Sequence, residues 1–489
     1  MKDHIVRIIS WFEKPIIALI FITGIGAFLR IYNLGFKSLW LDEALQFHIS
    51  NGAIGHILRY NALYNGAPPL YSLLIRAMIA IGTSEEILRT VSCLAGIATI
   101  PMMYYLATQF TSYRVALVAA LLVALSPSQI MYSQQLREYS LTLLLAQAML
   151  CAFMLFLQRP NWRTSLLFGL LSMVSICTQY GLALFVLALN IVFFVRVFRL
   201  DKRIRALGLW AVAQVLGLFA VFAVYHLSLK YHFTPEGFGA AGSLGYAYWD
   251  GTLKSLFTIV TLNTKDIFTF AFPLAYLIVA LVIIGVIRMA MDKDRVKSVA
   301  VWMLVTPMAV TFIAALFRSY PYVGGRHTIF LLPMIYLFVT LGISFLSNLR
   351  YGRYITMLFL VVLTFQGARE SAAYLVSEGL EPMRPIVGTL ESSLIKSDFI
   401  YVYYGAMPAF AYYFRGNNHP WTEGTAHFRN SDNYRRELNR MLAQKRRIWI
   451  VLSHVYGLEG DAILGYLATH EKIVKLVHRE NKVYLFLAY

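Results

Sequence analysis

The sequence predicts a polytopic α-helical membrane protein of about eleven spans followed by a small α/β soluble domain, on three observations. Of 489 residues, 58% are hydrophobic and only 14% charged, a balance outside the range of soluble proteins. Apolar runs of membrane-crossing length recur from residue 15 to about residue 370. Beyond that point the pattern changes to the shorter periods of ordinary strands and helices. The expected domains are therefore 1–370, membrane-embedded, and 371–489, soluble and large enough for its own core.

The apolar runs fall near 15–32, 86–109, 113–131, 139–157, 164–180, 181–198, 206–230, 266–288, 298–317, 328–347 and 354–370. The first follows Lys14 without a small-residue cleavage site, which predicts an uncleaved first helix. The stretch 164–198 is broken only at Tyr180-Gly181 and carries basic residues at both ends, so two short spans are expected there. Segment 69–82 contains Arg76 and is too short to cross, which predicts a helix lying at the membrane surface.

With 69–82 on the surface, Lys2, Arg7, Arg114, Arg159, Arg163, the 196–205 cluster (Arg196, Arg199, Lys202, Arg203, Arg205), Arg288, Lys293, Arg295, Lys297, Arg350 and Arg353 all fall on one side. The positive-inside bias makes that side, and the N-terminus, cytoplasmic. The exterior face then receives Asp42, Arg89, the 132–138 turn, the 231–265 loop, the 318–327 turn and the whole soluble domain. The formal charge of +18 follows from this loop topology and does not indicate nucleic acid. Cys93, Cys151 and Cys177 each sit in an apolar run without disulfide or metal-ligand spacing.

In the soluble domain, 398–404 and 447–452 read as buried strands, with helices near 407–414, 431–443 and 459–469. A hairpin of 472–477 and 483–489 is expected around Glu480-Asn481-Lys482.

Three exterior turns collect charge that a purely structural bundle does not need. They are Asp42-Glu43, followed by an amphipathic stretch 44–61 and Asn65-Gly66-Ala67-Pro68-Pro69; the turn from Tyr132 to Tyr139 with Arg137-Glu138; and the turn from Arg318 with Gly324-Gly325-Arg326-His327. Carboxylates opposed to arginines suit displacement of a phosphate leaving group from a sugar carbon. A carboxylate activates the acceptor, and guanidinium groups, planar and always charged, neutralise the departing oxygens. Because nucleotide sugars are cytoplasmic, an exterior site needs a donor carried across on a lipid, such as a polyprenyl phosphate. Each residue also has a structural reading. Glu43 can cap the helix that follows, Arg137 and Glu138 can pair with each other, Arg89 can snorkel, and His327 can be a satisfied structural group. Arg30, at the end of the first span, reads as snorkelling and stays outside the site.

The ordered set Ser38-Leu39-Trp40-Leu41-Asp42-Glu43-Ala44, Ala67-Pro68-Pro69-Leu70-Tyr71, Glu86-Ile87-Leu88-Arg89, Ser126-Pro127, the 132–139 turn, and Gly325-Arg326-His327 before Leu332-Pro333 resembles the GT-C glycosyltransferases that use polyprenyl-phosphate sugars, among them the protein O-mannosyltransferases and the lipid A aminoarabinose transferases. The resemblance covers about the first 370 residues. It implies a GT-C bundle with interfacial helices in the first exterior loop, Asp42 as catalytic base or acceptor-orienting group with Glu43 beside it, and Glu138 as a second acid positioning acceptor or metal. It also implies Arg89 on the lipid phosphate, joined by Arg137, Arg326 and His327. Gly66-Ala67 stands where the aminoarabinose transferases carry an acid and a lysine. Arg137-Glu138 replaces the paired-acid motif of oligosaccharyltransferases, so no bound metal is assigned and a divalent ion is doubtful.

The resulting expectation is a bacterial inner-membrane enzyme that moves one sugar, hexosyl or pentosyl, from a donor such as undecaprenyl-phosphate sugar to a glycan, lipid or protein acceptor at the periplasmic face, with inversion. The competing classes are a polytopic transporter or lipid flippase, of whose expected charged mid-membrane residues, inverted repeats and interrupted helices the sequence shows little, and a glycan polymerase or ligase using a lipid-diphosphate donor.

Overall fold

A computed structural model describes residues 15–198, 203–233, 244–292, 298–415, 419–426, 431–443, 447–456, 459–469 and 474–489. Lys2, Arg7, Arg199, Lys202, Lys293, Arg295, Lys297, the loop glycines Gly237, Gly239 and Gly242, and the first residues of the expected hairpin lie outside the described residues. The chain divides into two compact units. One takes the chain up to Tyr32, Gly52–Ile81 and Arg89–Leu375; the other takes Asn33–Asn51, Gly82–Leu88 and Val376–Tyr489.

Helices occupy every predicted run: Pro15–Ile31, Glu85–Thr108, Tyr113–Leu125 with Pro127–Ser133, Tyr139–Gln158, Trp162–Thr178, Tyr180–Val197, Arg203–Leu227, Ala275–Ala290, Val299–Leu316, Leu332–Ser347 and Gly352–Val376. Among the described residues, six are long and apolar enough to cross a membrane, or seven if the bent pair at Ser126 is one span. Pro15–Ile31, Trp162–Thr178 and Tyr276–Ala290 fall short of that length. The run that begins near 266 is broken before Ala275, at a stretch containing Pro273. The surface segment forms Leu70–Ile79, ten residues, or about 15 Å, half a typical hydrocarbon core.

Tyr139–Gln158 and Ile329–Ser347 form the centre of the first unit, with 78% and 83% of their apolar windows buried, against 28% for Arg203–Leu227. The outer helix bares Val212, Val215, Leu218, Phe219 and Phe222, an apolar surface suited to lipid and costly in water. Within a bilayer, helix association depends on close packing. Trp210 supplies it for four helices by stacking on Phe168 and Phe193 at 4.6 and 4.2 Å and meeting Phe153 and Phe156 at 5.8 and 5.2 Å. Where Ala275–Ala290 crosses Leu332–Ser347, a Cβ on Gly285 would lie 2.2 Å from the Phe338 carbonyl and one on Gly342 would lie 2.1 Å from that of Leu281. The crossing is therefore backbone against backbone, and only glycine fits it.

Arg30 departs from expectation. It does not snorkel: the side chain is 0% exposed and donates to the carbonyls of Gly26, Ala124 and Val123 at 3.0, 3.1 and 3.0 Å and to Ser133 Oγ at 3.2 Å. The reason lies in Ser126-Pro127, where the helix bends by 57°. Pro127 has no N–H to give the Val123 carbonyl one turn back, and the residue before a proline is pushed out of the helical region. Ser126 is accordingly extended, at φ −66° and ψ 120°. The guanidinium takes over the carbonyls that the break leaves open.

In the second unit, Phe399–Val402 (β1), Trp421–Glu423 (β2), Ile448–Leu452 (β3), Val474–Glu480 (β4) and Val483–Ala488 (β5) form one sheet in the order β2-β1-β3-β5-β4. β1 is parallel to β2 and β3; β5 is antiparallel to β3 and β4. β3 is buried throughout, which is why it reads as an unbroken apolar run. Asp398 ties β1 to β3, accepting from Trp449 Nε1 at 2.8 Å and pairing with Arg447 at 3.4 Å. The predicted hairpin forms, with Asn481 at φ 48° in its turn. Three-residue β2, exposed along its length, carries too little periodicity to be foreseen, whereas helix Met383–Ser393 is not among the expected elements although its buried Met383, Ile386, Val387 and Leu390 recur at helical spacing.

Replacing Arg30 by Met should leave several buried carbonyls without donors and lower stability by about 3 kcal/mol or more. The check is thermal unfolding of the detergent-solubilised protein; an unchanged midpoint would show that the break at Ser126 needs no guanidinium.

Candidate active site

Asp42 lies in the first turn of helix Leu41–Ser50, half-buried, with Glu43 beside it at 1% exposure. This helix belongs to the second unit and has no cap from its own sequence, since Trp40 at the N-cap offers no side-chain acceptor. Glu381 supplies one. Its Oε2 accepts from Leu41 N at 3.0 Å and its Oε1 pairs with His454 Nδ1 at 2.5 Å. A carboxylate at this end satisfies a helix N–H and favours the dipole. The segment leading into the helix is tied down as well. Leu39 N donates to the Tyr413 hydroxyl at 2.8 Å, Lys37 Nζ to the Ser377 carbonyl at 2.9 Å, and the Arg384 backbone N–H to Ser38 Oγ at 3.1 Å. Glu85 takes Tyr413 at 2.7 Å and pairs with Arg384. The far end is held where His48 Nε2 donates to the Pro408 carbonyl at 2.9 Å and Phe47 meets Tyr412 edge-on at 4.9 Å. Burial lowers the His48 pKa, which the Pro408 carbonyl partly offsets. Asp42 therefore stands on a rigid scaffold. It also lies in electrostatic range of Tyr456, whose hydroxyl is pushed up to about 12 by burial and by Asp42, Glu381 and Glu459.

The remaining predicted residues belong to the first unit. Arg89 is 1% exposed, so its side chain is enclosed and does not lie along the surface. Arg137 is buried in the turn between Pro127–Ser133 and Tyr139–Gln158, where it donates to Asn65 Oδ1 at 3.2 Å, pairs with Glu138 at 3.3 Å and lies over the Tyr139 ring at 5.5 Å. The ion pair weighed from the sequence thus exists, and Asn65 completes it. Asn65 is set in turn by Asn61, whose side chain receives Asn65 Nδ2 and Ser72 Oγ and donates to the Ala67 carbonyl. Ser92, one turn beyond Arg89, donates to the Arg137 carbonyl at 2.8 Å and shares a hydrogen bond with Tyr71 at 2.7 Å.

Arg326 and His327 are half-buried in a turn that is sterically fixed. A Cβ on Gly324 would lie 2.2 Å from the Asp266 carbonyl, and Gly325 sits at φ +142°. Asn263 holds the same turn by donating to the Tyr322 carbonyl at 2.9 Å. Gln179 donates to the Arg326 carbonyl and Tyr320 to that of His327. Tyr320 lies in electrostatic range of Glu138 and Tyr139, and Arg326 in that of Tyr132. Tyr132 and Tyr139 meet edge-on at 4.8 Å. The 132–139 and 318–327 turns are thus brought together, with Arg137, Glu138 and Arg326 around a group of tyrosines.

Glu381, His454 and Tyr456 are not among the residues singled out from the sequence. Each sits in ordinary soluble periodicity, and only the fold brings it to the Asp42 helix. Among the described residues no three His, Cys, Asp or Glu side chains converge to hold a metal.

The fold is that of the GT-C glycosyltransferases. ArnT from Cupriavidus metallidurans in the apo state superposes with a TM-score of 0.56 at 16% identity, covering 96% of this chain and 97% of its own. The same protein bound to undecaprenyl phosphate gives 0.55 at 15% identity with the same coverage. The oligosaccharyltransferase of Archaeoglobus fulgidus gives 0.56 at 11% identity over 91% of this chain and 70% of its own. In sequence, residues 66–227 match the model of the dolichyl-phosphate-mannose-protein mannosyltransferase family. No curated protein matches the chain. The chain resembles GT-C enzymes that use polyprenyl-phosphate sugars, in sequence over about a third of its length and in fold over nearly all of it.

Changing Glu381 to Ala should cost about 1 kcal/mol in cap and dipole energy and loosen the Asp42 helix. Hydrogen exchange should show faster exchange confined to residues 41–50 and their neighbours; protection equal to wild type would remove Glu381 from this role.

Proposed function

We propose that the protein is an integral-membrane glycosyltransferase that moves one sugar from a polyprenyl-phosphate donor to an acceptor at the exterior, periplasmic face of a bacterial inner membrane. The observation that carries this reading is the approach of the 132–139 and 318–327 turns in the first unit, where Arg137 lies over Tyr139, Tyr139 meets Tyr132 and Tyr132 lies in electrostatic range of Arg326, arginines of the kind that suit a phosphate diester on the side that the positive-inside bias makes exterior. The GT-C fold and the family match over residues 66–227 support it, as does the undecaprenyl phosphate bound in the ArnT structure.

On this reading the acceptor oxygen attacks the anomeric carbon, the bond from that carbon to the phosphate oxygen breaks, and polyprenyl phosphate departs. The acceptor's proton passes to Asp42. Arg89, Arg137 and Arg326 stabilise the charge gathering on the phosphate, and His327 can donate a further hydrogen bond. Glu138 orients Arg137, and a single displacement inverts the anomeric centre. Glu43, enclosed beside Asp42 in the same helix turn, assists it. The soluble residues from 371 onward form an exterior domain.

Asp42→Asn should reduce turnover at least about 100-fold with little effect on donor affinity, since general-base contributions are of that order. Arg326→Ala should raise the donor KM about ten-fold or more, as expected for loss of a charge-assisted contact to phosphate. Both follow from steady-state kinetics with a synthetic polyprenyl-phosphate sugar. Asp42→Asn at wild-type rate, or an unchanged donor dependence in Arg326→Ala, would refute the assigned role.

A further inference from the structure

In the second unit a row of rings runs beside Asp42. The Trp40 and His454 centroids are 6.4 Å apart, His454 meets Tyr456 edge-on at 4.9 Å, and Tyr456 stacks on Tyr404 at 5.7 Å with planes 10° apart. Trp40, His454 and Tyr404 are half-buried, and Tyr456 is 44% exposed. Carboxylates border the row. Glu381 holds His454, and Glu459 accepts hydrogen bonds from Tyr403, Tyr434 and Tyr404 at 2.5, 2.9 and 3.3 Å, which fixes the ring of Tyr404 from beneath. Asp42 lies in range of the Tyr456 hydroxyl.

We propose that this row, Trp40–His454–Tyr456–Tyr404 with its bordering carboxylates, is a subsite for an uncharged saccharide acceptor. A pyranose offers an apolar C–H face to stack on rings and hydroxyl donors around its rim; the row supplies the rings and half-buried Asp42 the carboxylate, while Glu381 and Glu459 are buried and hold His454 and the tyrosines in place. An apolar peptide side chain laid on the same rings would desolvate Asp42 without giving it a donor. A phosphorylated or carboxylated acceptor would bring a like charge against Asp42. The position fits the chemistry, because an acceptor hydroxyl held on Tyr456 lies close to the carboxylate assigned to take its proton. The subsite rests on the proposed transfer reaction only for its role as acceptor site; its affinity for sugar does not.

The test is binding of full-length protein, in detergent and without donor, to an array of neutral, phosphorylated and carboxylated oligosaccharides and of control peptides. Neutral oligosaccharides should bind. Tyr456→Ala should weaken them about ten-fold or more while Tyr456→Trp retains them. Tyr456→Leu, which keeps apolar area without a π face, should behave like Tyr456→Ala and guards against a folding defect in the smaller variant. Phosphorylated forms should bind more weakly than their neutral parents. Absence of neutral glycan binding, unchanged binding in both the Ala and Leu variants, or a preference for peptides would overturn the proposal. Sugar binding without transfer would instead count only against the transfer reaction, and transfer without sugar binding only against the subsite.

Discussion

The first unit depends on one buried cation. Arg30 answers a problem set by Pro127, which removes the N–H that the Val123 carbonyl would otherwise receive, and in a bilayer no water can make good that loss. Four hydrogen bonds from one guanidinium close the gap and reach across to Ser133. The same corner is fixed from the opposite side, where Ser126 Oγ donates to the Ala271 carbonyl at 2.9 Å and receives the Tyr336 hydroxyl at 2.8 Å. With the break held, the short helix Pro127–Ser133 aims the following turn, and Gln134 locks that turn by donating to the Arg30 and Tyr32 carbonyls. Arg137 and Glu138 come immediately after. Their placement is thus inherited from a charge buried at the helix break.

The second unit solves a similar problem by different means. Its acid-bearing helix is only ten residues long, too short to be stable alone, and it lacks a cap of its own. Stability comes from residues more than 300 positions away in sequence: Glu381 at its first N–H, Tyr413 at Leu39 and Pro408 at His48. Each contact is modest by itself. Together they fix both ends of the helix and leave Asp42 and Trp40 in its first turn on the border between protein and solvent.

How far the sequence could be read follows from the range of the interactions involved. Helices in the first 370 residues were legible because apolar length is a local signal, although several prove shorter than the runs that announced them, as at Pro273. The strands β1 and β3 and the closing hairpin were legible for the same reason. Arg30 was misread because an arginine near a helix end looks alike whether it reaches for water or for carbonyls; the deciding fact is Pro127, nearly a hundred residues later. The packing of Gly324 against the Asp266 carbonyl was not legible, because its partner lies nearly sixty residues earlier in the chain. Glu381, His454 and Tyr456 escaped notice because nothing in their neighbourhoods departs from a soluble core pattern.

The composition of the second unit has a bearing on biogenesis. It is assembled from three stretches of chain, and the last, from residue 376 onward, leaves the ribosome after all the others. Until then the carboxylate that caps the Asp42 helix does not exist, so the nascent protein would hold its acid on an unanchored segment. Ordering of that helix is thereby coupled to synthesis of the stretch that carries Glu381, 340 residues beyond Leu41.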